Sequence, residues 1–162
     1  MDATPAEPTR ASRFAPVAPE ALERWSAFGR WDRVYFPSLV GLEIEEIRTD
    51  YCRMRMPFRH DLEQPAGVVH GGAIATLLDT VVVPAVGQAY GPDARFSTVD
   101  FHLQYLSALA VDDAVAEGWV VRRGRTLVFC EAEAVAVRTG AVVARALLTY
   151  HVSTGRPPRE HA

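Results

Sequence analysis

The run Gln64-Pro65-Ala66-Gly67-Val68-Val69-His70-Gly71-Gly72-Ala73 leads directly into Ile74, Leu77, Leu78, Val81, Val82, Ala85, Val86 and Ala89. Apolar pairs recurring every four positions predict a helix buried over a broad face. The His-Gly-Gly turn in front of it leaves the first backbone N–H groups without intrahelical acceptors. That end carries partial positive charge and can hold an anion or polarise a carbonyl oxygen. Asp79 is the one acid inside this otherwise apolar helix. Aspartate is a poor mid-helix residue, and a carboxylate among apolar neighbours needs either a hydrogen-bonding partner or a task. Oxyanion donors together with a lone acid suggest acyl chemistry. Pro84 removes one intrahelical bond and is expected to kink or end the helix after about three turns.

Outward from this helix the pattern changes period. Leu39, Leu42, Ile44 and Ile47 suggest a first strand. Cys52, Met54, Met56 and Phe58 alternate with Tyr51, Arg53 and Arg55 as a second, half-buried one. After the helix, Val99, Phe101, Leu103 and Tyr105 alternate with Thr98, Asp100, His102 and Gln104. Residues 114–122, 125–138 and 141–152 continue in the same style, joined by the turns Arg123-Gly124 and Thr139-Gly140. A short helix around Leu22, Trp25 and Phe28, opened by Pro19 and closed near Gly29, precedes them all. Two strands, one long helix and four consecutive strands leave no crossover helices between the last four. The class is therefore α+β, with a mainly antiparallel sheet and one long helix covering its concave face. Residues 1–18 and 153–162 are expected to be mobile tails around a single domain at 19–152.

Composition narrows the function. The 162 residues can bury a core without metals or disulfides, and 49% hydrophobic with 23% charged residues is ordinary for a globular domain. A net charge of −3 gives no electrostatic case for nucleic acid or an anionic membrane. No apolar run approaches the ~20 residues of a membrane span. The stretch Met1–Pro19 lacks the apolar region of a signal peptide, so a cytoplasmic setting is expected. Cys52 and Cys130 sit in alternating apolar patterns and read as buried reduced thiols. The histidines lack ligand-like spacing, so no zinc site is expected, and no Gly-x-Ser-x-Gly elbow is present. No cofactor is called for.

The order of elements and the string Gly67-Val68-Val69-His70-Gly71-Gly72-Ala73-Ile74-Ala75-Thr76-Leu77-Leu78-Asp79 resemble the PaaI-type hotdog-fold acyl-CoA thioesterases. Ser97-Thr98-Val99-Asp100, Gln104-Tyr105-Leu106, Gly124-Arg125-Thr126 and Gly140-Ala141-Val142-Val143-Ala144 extend the likeness over roughly residues 38–152. The resemblance implies curled sheets wrapped around central helices, subunits joined sheet edge to sheet edge, no metal, and hydrolysis of acyl-CoA. It also implies that Asp79 acts as general base toward water or as the nucleophile, and that the Gly71 N–H receives the thioester oxygen. In the same pattern His70 shapes the turn, and Thr98 stands where relatives place a hydroxyl against the acid. Gln64 departs from the pattern: relatives commonly carry Asn there, and Gln offers the same amide on a stem one methylene longer. Gly72 belongs to the same helix start, and Gly124, Arg125 and Thr126 mark the hairpin where the nucleotide end of the coenzyme is expected. Arg122, Arg123 and Arg125 form the one compact basic cluster there.

One deduction needs no resemblance. Gly71 and Asp79 lie eight residues apart, about 12 Å along a helix at about 1.5 Å per residue. A carbonyl bonded to Gly71 cannot touch Asp79 of the same chain, since hydrogen-bond reach is about 3 Å. If both act on one substrate, two chains must share each site across a two-fold axis. A homodimer, alone or as a dimer of dimers, is therefore expected. Two other readings stand beside hydrolysis: a non-catalytic acyl-thioester binding or regulatory protein, and a hydratase or dehydratase of the same fold.

Overall fold

The computed structural model describes residues 9–154. Within them, helix α1 (Pro19–Ser26) and the short α2 (Phe36–Val40) precede strands β1 (Glu43–Arg48) and β2 (Tyr51–Met56). A two-stranded ribbon, β3 (Glu63–Gln64) with β4 (Val68–Val69), leads into the long helix α3 (Gly71–Gly87). Four strands follow: β5 (Ala94–Tyr105), β6 (Ala114–Arg123), β7 (Leu127–Ala136) and β8 (Val142–Thr154). The six long strands form one sheet in the order β1-β2-β6-β7-β8-β5, every pair antiparallel.

The floor beneath α3 is built from small side chains. Cross-strand rows run Cys52–Gly118–Ala132–Ala146 and Met54–Ala116–Ala134–Ala144. Against this floor α3 buries Ile74, Leu77, Leu78, Val81, Val82, Ala85 and Val86. The approach is closest at Gly118, where an added Cβ would meet the Cγ1 atoms of Val81 and Val82 at 2.8 Å. Large helix residues over a flat Ala/Gly floor interdigitate to crystal-like density.

Three expectations need correction. The helix runs through Pro84 to Gly87 rather than ending before it. The proline lies in the last turn, so the missing N–H forfeits a single bond while Pro84 itself is buried in the core. Leu39 belongs to α2, and the first strand starts at Glu43. The stretch 9–18, assigned by composition to a tail, is packed on the convex face. There Arg10 reaches Glu117 (3.2 Å) and Glu133 (3.1 Å) and lies 4.1 Å over the Trp119 ring, while Phe14 stacks on Tyr51 at 5.0 Å. Those carboxylates and rings come from β2, β6 and β7, and they form a binding face only when the strands are side by side. At the other end β8 includes Ser153 and Thr154; residues 1–8 and 155–162 of the expected tails lie outside the described residues.

The floor makes the first prediction. Gly118→Ala lowers unfolding free energy by roughly 1–3 kcal/mol, the usual cost of overpacking a filled core, measured by urea denaturation. An unchanged midpoint would mean that α3 can lift off the sheet without penalty.

Candidate active site

The start of α3 is made by local chemistry. Gln64-Pro65-Ala66-Gly67 forms a turn closed by the Gly67 N–H donating to the Gln64 carbonyl at 2.9 Å, with Gly67 at φ +79°. Proline at the second position and a left-handed glycine after it are what a three-residue hairpin loop of this kind requires. The chain then enters α3 with His70 as N-cap: its Nδ1 accepts the Gly72 N–H at 2.8 Å. A Cβ on Gly72 would stand 2.9 Å from that Nδ1, so the cap depends on glycine at this position. The Gly71 N–H, by contrast, has no acceptor among the described residues, while the Gly71 carbonyl accepts from Tyr105 Oη at 2.7 Å. Gln64 and Gly71 line one groove of about 390 Å³ with Tyr105, Ser107 and Leu109. On the other side of the same helical turn, His70, Gly72, Ala73 and Thr76 line a groove of about 670 Å³ walled by Phe36 and Leu39.

Asp79 lies two turns further along α3, half-buried. Its Oδ1 accepts from Thr98 Oγ1 at 2.9 Å and from Tyr150 Oη at 2.7 Å; Tyr150 Oη is also 2.7 Å from the Asp79 carbonyl oxygen. Oδ2 accepts nothing among the described residues. Thr98 on β5 and Tyr150 on β8 are direct cross-strand partners, which is why both reach one oxygen. Burial, and next the neighbouring Asp79 charge, hold the Tyr150 hydroxyl well above the ordinary phenol range, so it stays a donor.

Sequence alternation predicts Thr98 on one face with Asp100, His102 and Gln104. The ladder between β5 and β8 shifts register between Thr98 and Asp100. This bulge returns Thr98 to the face of Phe101, Leu103 and Tyr105, toward α3, and leaves His102 and Gln104 on the convex side beside Trp119 and Arg145. Tyr150 escaped the sequence reading altogether. The available signal was a tyrosine at an inward position of the Leu148, Tyr150, Val152 alternation, because a buried phenol needs a partner for its O–H.

The hairpin between β6 and β7 brings the three arginines near one another but gives them different surroundings. Arg123 is taken: its guanidinium bonds Asp50 Oδ1 in the β1–β2 turn and the Ala85 carbonyl near the end of α3 (2.9 Å). A cation at that helix end is favourable; Nε and Nη2 are engaged there, and Nη1 is buried without a partner among the described residues. Arg122 and Arg125 are exposed. Gly124 closes the turn through its N–H to the Leu127 carbonyl at 2.7 Å, and the Thr126 carbonyl accepts from the Val152 N–H at 2.8 Å. Among the described residues no group of three His, Cys, Asp or Glu side chains gathers as metal ligands, and no helix is long and apolar enough to cross a membrane.

Residues 66–150 match the family model of the thioesterase superfamily, and the chain belongs to that family. A Halobacterium salinarum protein provisionally named an esterase is 35% identical over 95 residues, covering 56% of this chain and 62% of that protein. The match thus spans less than two thirds of that relative's length. Mouse acyl-coenzyme A thioesterase 13 is 26% identical over 102 residues, 62% of this chain and 71% of the relative. Among solved structures, the E. coli PaaI protein of the phenylacetic acid degradation operon superposes with a TM-score of 0.72 at 18% identity, covering 83% of this chain and 96% of that one. The fold is the hotdog fold of the PaaI-type proteins.

Two predictions arise here. His70→Ala costs about 1 kcal/mol of stability through loss of the N-cap, while His70→Asn, itself a capping residue, restores most of it; thermal melts compare the three. Equal melts for all three would show that the cap contributes nothing. Burial raises both thiols, Cys130 to about 12 and Cys52 further still. A thiol reagent at neutral pH should therefore label neither cysteine until the protein unfolds.

Proposed function

We propose that the protein hydrolyses acyl-CoA thioesters to a free acid and coenzyme A. The observation that carries this reading is the Asp79 carboxylate, with Oδ1 bonded by two hydroxyls, together with the Gly71 N–H; among the described residues Oδ2 and that N–H have no partner. In the proposed reaction a water oxygen attacks the thioester carbonyl carbon while Oδ2 takes its proton. The carbonyl oxygen gains negative charge against the Gly71 N–H at the positive end of α3. Collapse of the tetrahedral adduct breaks the C–S bond, and the proton passes from Asp79 to the departing thiolate. Direct attack by Asp79 would instead form a mixed anhydride; the base role asks less of a carboxylate already engaged at one oxygen.

The shared site follows from two anchors on one strand. Strand β5 ends the described sheet, so one of its edges is unpaired there. Its Thr98 holds Asp79 and its Tyr105 holds Gly71. Antiparallel pairing of β5 with its two-fold mate, centred between Phe101 and His102, places Thr98 opposite Tyr105 of the partner subunit. Asp79 of one chain then approaches the helix start of the other. A long exposed edge strand is itself a reason to expect such pairing. Gln64 lines the Gly71 groove and supplies an amide for the water or the thioester. The acyl group lies in the groove walled by Phe36 and Leu39. Arg122 and Arg125, with the Gly124–Thr126 turn, meet the coenzyme phosphates. The reading places the reaction in the cytoplasm, where acyl-CoA is available.

A hydratase or dehydratase needs a histidine free to move protons at adjacent carbons. His70 Nδ1 accepts a backbone N–H, so only its Nε2 could serve such a transfer, and analysis of the acyl chain for hydration without thiol release separates that alternative. A binding protein of the same fold remains as the other reading, and activity separates the two. Thiol release from an acyl-CoA panel should fall by roughly 10²–10⁴-fold in Asp79→Asn. If the wild type binds acyl-CoA yet releases thiol no faster than the variant, the protein is a binder. Mixing Asp79→Asn with Gly71→Pro subunits should recover about a quarter of wild-type activity after random exchange, since about half of the dimers are mixed and each mixed dimer holds one intact site. No recovery between folded, exchanged subunits would reject sites built across two chains.

A further inference from the structure

We infer that Tyr150 is the positioning residue of the site: it determines which oxygen of Asp79 meets the water. The inference rests on the general-base reading of Asp79. Tyr150 is 2% exposed, and its side chain rises from the floor of the sheet through the core to the helix. Its hydroxyl is 2.7 Å from Asp79 Oδ1 and 2.7 Å from the Asp79 carbonyl oxygen. One phenol thus registers the carboxylate against its own backbone. The single phenol proton is shared between these two oxygens, so Asp79 receives it only in the rotamer that brings Oδ1 beside its own carbonyl oxygen. Thr98 donates to the same oxygen from the neighbouring strand, at 2.9 Å. Both donors are spent on Oδ1, and Oδ2 alone is left to accept a proton.

The two hydroxyls differ in what could replace them. Thr98 lies on the edge strand, exposed in the single chain and beside the proposed attacking water in the shared site, so water can stand in for its hydroxyl. Tyr150 is closed off from solvent, so no water replaces it. Its hydroxyl also keeps its proton throughout the neutral range, because burial and the Asp79 charge oppose ionisation. Tyr150 does not line the grooves that flank the helix start, so its removal should leave substrate binding alone. A base held about 1 Å or a rotamer out of place loses on the order of 10²-fold in rate.

The test is acyl-CoA hydrolysis by Tyr150→Phe, Thr98→Val and Asp79→Asn, with melting temperature and circular dichroism recorded for each. Tyr150→Phe should lower kcat by about 10–100-fold with KM within about twofold of wild type. Thr98→Val should lose less than Tyr150→Phe. In the Asp79→Asn background, Tyr150→Phe should change the residual rate less than twofold, since the group it positions is gone. A Tyr150→Phe protein that folds and keeps wild-type kcat overturns the inference while leaving the Asp79 reading in place. So does an equal loss in both backgrounds, which would mark Tyr150 as packing only. A fully active Asp79→Asn fails the base reading itself. Should Tyr150→Phe not fold, a Thr98→Val protein whose kcat falls more than 100-fold would equally overturn the inference, because Tyr150 alone should then hold Oδ1.

Discussion

The seat of α3 on a floor of alanine and glycine is the constraint on which the rest depends. Cys52–Gly118–Ala132–Ala146 and Met54–Ala116–Ala134–Ala144 leave room for a helix whose own residues are large. Burial of Ile74, Leu77, Leu78, Val81, Val82 and Val86 stabilises that contact through apolar area and dense packing. The same contact fixes the rotation of α3 about its axis. With that rotation set, Asp79 comes to the Thr98–Tyr150 pair, and among the described residues the Gly71 N–H has no acceptor. Chemistry and core are thus two consequences of one packing event.

Polar contacts secure the two ends of that helix. At its start the His70 cap and the Tyr105 hydroxyl hold the first turn, and the β3–β4 ribbon brings Gln64 alongside. At its end Arg123 ties the Ala85 carbonyl to Asp50, joining α3, the β1–β2 turn and β6. These bonds do different work from the core. Hydrophobic contact is non-directional, whereas capped and bridged ends set where along its axis the helix stops. Asp79, two turns from the cap, inherits that precision.

The convex side of the sheet has its own organisation. Glu117 and Glu133 stand side by side on β6 and β7, a like-charge pair that would be unfavourable alone. Arg10 lies between them, with Arg53 and Arg145 at their outer sides. The N-terminal stretch folds back because the assembled sheet sets two carboxylates side by side, each with one arginine at its outer flank, and presents two aromatic faces between which Arg10 and Phe14 fit. Composition alone marks the same stretch as a tail, since Arg10 and Phe14 have no local partners.

Much of the architecture was legible in the chain. Apolar residues at helical period, alternating strands and glycine turns are short-range signals, and they specify the helix, the succession of elements along the chain and the antiparallel class, but not the order of strands in the sheet. The His70-Gly71-Gly72 entry and the isolated Asp79 were legible for the same reason: each is unusual in its immediate neighbourhood. The eight-residue spacing also sets Gly71 and Asp79 about 12 Å apart on one helix, because helix rise hardly varies. Side-chain direction past a bulge was not legible. The shift after Thr98 reverses the alternation that follows, and a bulge leaves no mark in residue type there. Nor could the chain reveal that Tyr150, 71 residues from Asp79, would be its partner, or that Arg123 would be drawn from its neighbours to Asp50. Those pairings depend on strand register and on helix rotation, which are settled only when distant segments pack together.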